Sequence, residues 1–497
     1  MTVASRRKLA LGFASQVASR LGIMAVSLVS TAVLARLLVP AEFGIMGVAM
    51  AVTALADAIF DGAFAINIIH KEDLSDEYVS TALNVSILFA AALALGLLAT
   101  ADLWQALMGF PKLAAVLKLM SVTLLLKAGG AVSRNILVRQ RRLHALSISA
   151  MCGALTGTLG TACGMALLGF GIWSLVWGAI VSVTVETAFN IAQARPRFRL
   201  ALSAPAVREV LGSGSLYTAS QFLNWGMNSG SSMISARMLG TIDFGLYSRG
   251  NKLLELTTSA IGQPMMRVFF PSFARARGDL IAARTMLIQA LSASSFVFAT
   301  ASALLAVHSR LLVGILLGSK WEQTAIVGQI LFLSLLPRCC YKITESAAFG
   351  LGAAALAVKR QAVFAAVALC AVGIGARWGI VGVAVGAGLG IWINYLVSLA
   401  IAARLVGAPM WRMLSLHLAP IAVALCVGLV DRLAATAIAH VQAGGGAAWS
   451  SELVGLCVGL ATAMLLAIAV PGALLPDDLA RMRARLMARS GLRRSLT

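Results

Sequence analysis

Runs of about 20 apolar residues recur from one end of the chain to the other, and short stretches between them collect Arg, Lys, Asp, Glu, Pro and Gly. A helix of that length crosses a hydrocarbon layer of roughly 30 Å. A membrane barrel would instead show short strands of alternating polarity, which is not the pattern here. The runs predict fourteen spans, at 12–34, 44–69, 79–100, 114–136, 145–169, 172–193, 210–234, 245–266, 281–305, 324–350, 361–376, 378–402, 413–431 and 449–470. Pro337, Arg338 and Lys342 interrupt the tenth, and the eleventh is short. Composition agrees: 60% of residues are hydrophobic, 12% are charged, and the mean hydropathy is +0.90. A soluble domain carries about 25% charged residues, so this chain cannot wrap a polar surface around its core. The expected fold class is an all-α polytopic membrane protein. The opening MTVASRRKLALGF resembles a signal peptide without a small-residue cleavage site, and reads as an uncleaved first helix.

A net charge of +21 raises the question of nucleic acid, and the placement of the charge answers it. With the N-terminus inside, the inner segments hold Arg6, Arg7 and Lys8, then Arg139, Arg141 and Arg142, then Arg195, Arg197 and Arg199, then Lys359 and Arg360. The outer segments are sparse in Arg and Lys. That asymmetry is the positive-inside pattern, and it puts both termini in the cytoplasm of a cell bounded by an inner membrane. The tail RMRARLMARSGLRR suits anionic lipid better than nucleic acid, since no aromatic residues interleave it. The seven cysteines form no C-x-x-C pair and read as small packing residues. The five histidines are scattered, no P-loop spacing occurs, and neither a metal nor a cofactor is expected.

One hinge is written twice. ARLLVPAEFGIM begins at Ala35 and ARMLGTIDFGLY at Ala236, 201 positions later, matching without a gap at Arg36/Arg237, Leu38/Leu239, Glu42/Asp243, Phe43/Phe244 and Gly44/Gly245. A second echo pairs GIWSLVWG from Gly171 with GIVGVAVG from Gly379. The first six spans and the next six therefore read as two copies of one unit. An even number of spans per unit makes the copies parallel, related by an axis along the membrane normal. The expected organisation is a six-helix bundle over 1–205, a second over 206–405, a helical hairpin over 406–475 and a basic cytoplasmic tail over 476–497.

LARLLVPAEFG followed by ADAIFDGAFAINIIH resembles the start of the bacterial polysaccharide transporters of the Wzx and ExoT type. These belong to the superfamily that also holds the multidrug extruders and the lipid II flippase. GFGIWSLVWG and LLGSKWEQTAIVGQILFL look like two further signatures of that family, on its exopolysaccharide branch. The arginine-rich opening of the lipid II flippase is not found. The resemblance implies a substrate of oligosaccharide repeat units on undecaprenyl diphosphate, turned across the inner membrane for exopolysaccharide or lipopolysaccharide synthesis. It also implies a polymerase and a chain-length regulator as neighbours, and a transporter rather than an enzyme.

A flippase for such a lipid must shelter a diphosphate from hydrocarbon, which calls for buried cations. Ionisable groups at membrane depth are expensive and face a cavity or a partner. Arg20, Lys127, Arg249, Lys252 and Arg338 are the candidate cationic residues, with Lys118, Arg134 and Lys342 as further cations and Glu186, Glu255 and Glu345 as acids at depth. Lys118 and Arg134 lie near span ends, where they can snorkel to the interface. Lys252 can equally pair with Glu255 three residues on. Lys127, mid-span before AGGAV, reads evenly as a ligand or a structural residue. Asp57 and Asp61, four apart on one helical face, are candidates for ion coupling or for a structural hydrogen-bonded pair. The alternatives in function are a multidrug-type ion-coupled exporter and a membrane-embedded polymerase or glycosyltransferase of the same pathway. The short outer segments speak against the enzyme, and the excess of basic over acidic residues at depth speaks against the drug exporter.

Overall fold

The computed structural model describes residues 22–63, 76–196, 215–441, 452 and 454–462, with the backbone alone described in places that include 56–63 and 215–224. Every described element is helical. The helices are α1 (Gly22–Leu37), α2 (Pro40–Ala63), α3 (Asp76–Met108), α4 (Leu113–Arg139), α5 (Leu143–Gly153, a π-helical stretch Ala154–Ala162, then Cys163–Leu167) and α6 (Ile172–Ala194). They continue as α7 (Ser215–Arg275), α8 (Leu280–Val307), α9 (Ser309–Leu316), α10 (Glu322–Phe332), α11 (Leu335–Gly350), α12 (Ala354–Gly375), α13 (Gly379–Leu405), α14 (Met410–Ser415) and α15 (Leu418–Val441). Among the described residues seven helices are long and apolar enough to cross a membrane, eight if the bent pair α10–α11 is one span. The protein is thus a multi-pass helical membrane protein, and these helices do not by themselves reach the fourteen spans read from the runs.

Two compact units divide the chain. Unit 1 comprises residues 1–249 with 316–321 and 376–380; unit 2 comprises 250–315, 322–375 and 381–497. Within unit 1, α4 packs between α3 and α6, and α5 packs on α6. Glycines let that last pair close: a Cβ added to Gly157 would overlap the backbone of Ser182 and Gly178. Within unit 2, α8 packs on α11 and α15. The run GVAVGAGLG in α13 is a packing surface, since a Cβ on Gly386 would overlap the Ala371 carbonyl of α12.

Breaks fall where the sequence placed its breakers. The first hinge is a two-residue gap, Leu38 and Val39, after which Pro40 opens α2 at the position where a missing N–H costs nothing. The Glu42 carboxylate reaches back and accepts from the Val39 N–H at 3.0 Å, half of a capping box. At the second hinge α7 runs on but kinks at Gly240, whose φ of 78° suits glycine. The expected spans 210–234 and 245–266 are therefore two arms of one kinked helix. Between α10 and α11 the axis bends by 42°. The Pro337 ring clashes with the carbonyl four residues earlier, on Leu333, which is where the helix breaks. The break leaves the Phe332 carbonyl open, and Ser302 of α8 donates to it at 2.6 Å.

Inside unit 1 the two hinges touch. A Cβ added to Gly44 would overlap the Thr241 carbonyl oxygen, and one added to Gly245 would overlap the Pro40 carbonyl oxygen. Pro40 and Thr241 are equivalent under the 201-residue offset, as are Gly44 and Gly245, so the two contacts exchange with each other. The aromatic residues follow suit. Phe43 meets Trp321 edge-on at 5.4 Å between centroids, and its equivalent Phe244 meets Phe110 at 6.4 Å. Trp321 is fully buried and donates its indole N–H to the Ala35 carbonyl at 2.8 Å, while Lys320 donates to the carbonyls of Arg36 and Leu38. These are the open carbonyls at the end of α1, where a cation also meets the negative end of the helix dipole.

Candidate functional site

Charge at membrane depth is the chemistry this sequence spends on something other than packing. An isolated cation at the middle of a span costs about 2.5–3.5 kcal/mol on insertion scales. Each such residue therefore needs a partner, a route to water or a ligand.

The surface cations have ordinary partners. Lys118 of α4 pairs with Asp102 of α3 at 2.8 Å, with both side chains exposed. Lys252 of α7 pairs with Glu255 on its own helix at 3.1 Å, both again substantially exposed. Arg249 stacks its guanidinium 4.5 Å over the Phe43 ring, which joins it to the hinge cluster.

Lys127 is half-buried on α4. The small residues after it divide in role. Gly130 gives room to Thr187 of α6, whose hydroxyl donates to the Leu126 carbonyl at 3.3 Å, and a Cβ on Gly129 would meet nothing within 4 Å. Arg20 lies outside the described residues. Asp57 and Asp61 lie on the described backbone of α2, but their side chains lie outside the described ones. Of the five cationic candidates, Lys127 and Arg249 fall in unit 1, and Lys252 and Arg338 in unit 2.

Unit 2 holds the densest arrangement. Arg338, Lys342 and Glu345 recur at helical spacing along α11, so they share one face. Glu345 is almost fully buried, and each of its oxygens takes a cation: Arg360 of α12 at 3.0 Å on Oε1 and Lys342 at 3.3 Å on Oε2. Arg360, 5% exposed, also donates to the side-chain amide oxygen Oδ1 of Asn394 on α13. Lys342 donates to the Tyr341 hydroxyl at 2.8 Å and lies 4.4 Å over that ring, with Arg360 at 5.1 Å from the same ring. A Cβ added to Gly262 of α7 would come into ordinary contact with the Lys342 side chain, 3.5 Å from its Cγ. Arg338 is partly accessible, and its side chain makes no hydrogen bond or ion pair among the described residues.

Arg360 is the residue that the sequence reading misplaced. It was expected in an inner loop before a short span at 361–376, yet α12 begins at Ala354 and carries it inside. The apolar stretch AALAV before Lys359 and Arg360 is the signal that could have extended the helix. Asp431 is a second correction. The last residue of the span expected at 413–431, it is instead fully buried in the middle of α15, which runs on to Val441, and lies 2.8 Å from His308, whose other ring nitrogen is 3.0 Å from Glu452. A third histidine contact links His417 to the hydroxyls of Ser295 and Tyr395, each at 2.6 Å. Residues so far apart in sequence leave no motif. Among the described residues no group of three or more His, Cys, Asp or Glu is placed to hold a metal ion.

A family model described as "Polysaccharide biosynthesis protein" matches residues 33–326. The succinoglycan biosynthesis transport protein ExoT of Rhizobium meliloti is 28% identical over 265 residues, 53% of this chain and 53% of ExoT. The lipopolysaccharide biosynthesis protein WzxC of Escherichia coli is 26% identical over 321 residues, 62% of this chain and 63% of WzxC. The chain thus spans between half and two thirds of the length of these relatives. Among solved structures, the lipid II flippase MurJ in an inward closed conformation superposes with a TM-score of 0.73 at 13% identity, covering 92% of this chain and 97% of MurJ. An inward-facing multidrug resistance MATE family transporter of the MOP superfamily gives 0.64 at 14%, covering 79% and 98%. At such identities the likeness shows the fold alone, one shared with these two transporters. The resemblance to Wzx and ExoT transporters read from the hinge motif is borne out.

Proposed function

This chain belongs to the polysaccharide biosynthesis protein family, and on that premise we propose that it is an inner-membrane flippase for undecaprenyl-diphosphate-linked oligosaccharide repeat units. The observation that carries the reading is the family match over residues 33–326, beside the likeness to ExoT and WzxC. The flippase works by alternating access between two parallel six-helix repeats, with a further helical hairpin and both termini in the cytoplasm. The exchange of contacts between the hinges supports the repeat, since a two-fold relation requires that Gly44 meet Thr241 as Gly245 meets Pro40. In this mechanism the hinge contact is a closed end of the pathway and must part for release.

Lys127, Arg249, Lys252 and Arg338, with Arg20, each supply positive charge for the diphosphate as it crosses, and the sugar chain stays hydrated. Asp57 and Asp61 couple the cycle to an ion gradient. The polymerase and chain-length regulator of the pathway consume the product on the far side. The second reading, an ion-coupled drug exporter, draws on the MATE-like fold. The cationic face of α11 speaks against it, because a cationic drug would be repelled there.

The test is reconstitution of the full chain in vesicles holding a fluorescent prenyl-diphosphate oligosaccharide. Added dithionite bleaches only the outer leaflet. The protein should bring the second half of the lipid within reach, and Lys127→Ala should slow that step at equal protein level while Lys127→Arg retains most of it. Vesicles in which the second half stays protected would sink the flippase reading.

A further inference from the structure

We infer that Arg338 and Lys342 form a docking face for a phosphate-bearing lipid headgroup, and that Glu345 is the built-in anion that holds this face ready and competes with the headgroup for it. The inference takes the lipid diphosphate as ligand from the flippase reading, and its geometry stands on unit 2 alone.

Two cations, Lys342 and Arg360, hold one carboxylate, and Arg338 lies one turn before Lys342 on the same face of α11. Their roles differ by depth. Arg360 is buried, and is fixed by Glu345, by Asn394 and by the Tyr341 ring, so it has no charge left to offer. Lys342 is held less closely, at 3.3 Å, and its side chain is 29% exposed. Arg338, one turn earlier, is partly accessible and has no partner among the described residues. Charge therefore remains on the accessible side of the cluster while the buried side is balanced. An anion reaching α11 meets one guanidinium with no partner among the described residues and one ammonium whose present partner can be exchanged. If phosphate oxygens take Lys342, Glu345 keeps Arg360, and no carboxylate is left buried alone. The guanidinium can bind two phosphate oxygens at once, and the ammonium a third. Exchange of one anion for another lets the headgroup bind and leave without exposing uncompensated charge at depth.

The experiment measures binding of farnesyl diphosphate to the full chain in nanodiscs of zwitterionic lipid. Inorganic diphosphate, farnesol and phosphatidylglycerol serve as competitors. Farnesyl diphosphate should bind, inorganic diphosphate should compete, and farnesol should not. Arg338→Ala and Lys342→Ala should each weaken binding about tenfold, Lys342→Arg should restore it, and Glu345→Gln should tighten it several-fold by removing the competitor. Glu345→Gln leaves the buried Arg360 without its counter-charge, so its binding is scored only at a thermal midpoint matching the parent protein, and Lys342→Arg, which keeps the ion pair, reads the proposal if a variant folds poorly. Binding that is unchanged within about twofold in all these variants overturns the inference, as does a Glu345→Gln that weakens binding as Lys342→Ala does. Phosphatidylglycerol competing as well as the diphosphate would overturn its choice of ligand. Failure of the flippase reading looks different: binding would follow these residues while lipid in the vesicle assay stayed on its side.

Discussion

Replacing Gly44 with alanine tests whether the two hinges touch in the folded protein. On an open helix face such a change stabilises by up to about 1 kcal/mol, because glycine is the poorer helix former. At Gly44 the new Cβ overlaps the Thr241 carbonyl oxygen, closer than side-chain carbons come to anything. A backbone carbonyl cannot rotate aside, so the hinges must part, and overpacking of this kind costs about 1–3 kcal/mol. The clash outweighs the propensity, and a net loss of about 1–2 kcal/mol is expected. Gly245→Ala should lose the same amount, because its Cβ overlaps the equivalent carbonyl of Pro40. The double variant should lose clearly less than the two losses added, since one substitution has already separated the surfaces that the other would strike. Gly96→Ala on exposed α3, where an added Cβ meets nothing within 4 Å, is the control and should gain stability. Reversible unfolding by dodecyl sulfate in mixed micelles gives the free energies. If Gly44→Ala stabilises as Gly96→Ala does, or if the two hinge losses are fully additive, the reciprocal contact is refuted.

Trp321→Phe should keep an aromatic ring against Phe43 but strip the Ala35 carbonyl of its buried donor, a loss of about 1–3 kcal/mol seen as a lower thermal midpoint; an unchanged midpoint would remove this role. Asp102→Asn breaks an exposed pair and should change stability by less than about 1 kcal/mol, with no effect left at high salt; a large loss would show that Lys118 is held far from solvent. Cysteines placed at Ala41 and Thr241 should both react with an impermeant maleimide from the periplasmic side in spheroplasts, and labelling of only one would contradict parallel repeats.

The helices were legible because hydrocarbon imposes a length and an apolar composition that few soluble segments share. Their breaks were legible in part: Pro337 marked the bend before α11, and the repeated hinge marked the stretch in which α7 kinks, although the kink falls at Gly240 and α2 runs unbroken through Gly44. Pattern reading failed where a polar residue belongs inside a span. Lys359 and Arg360 looked like the edge of a loop, and only the carboxylate of Glu345, on another helix, makes a guanidinium tolerable at that place. His308 and Asp431 failed for the same reason, being 2.8 Å apart in space and far apart in sequence. The repeated hinge showed that two segments were alike. It did not show that they would meet, because a glycine needed for close approach reads the same as one needed for a turn.

The bond from Trp321 to Ala35 joins residues 286 positions apart. Chains are synthesised at roughly 5–20 residues per second, so α1 waits on the order of 15–60 s for the residue that closes its end. Through that interval the nascent chain carries the carbonyls of Ala35, Arg36 and Leu38 without their final donors, and Gly44 without the second hinge. Water or lipid headgroups must serve those groups, which is possible only if the hinge is held at the membrane surface. A duplicated hinge that locks onto its own copy thereby makes assembly depend on the second half of the chain. An arrest of synthesis before Trp321 leaves the earliest helices inserted and their junction open to proteases.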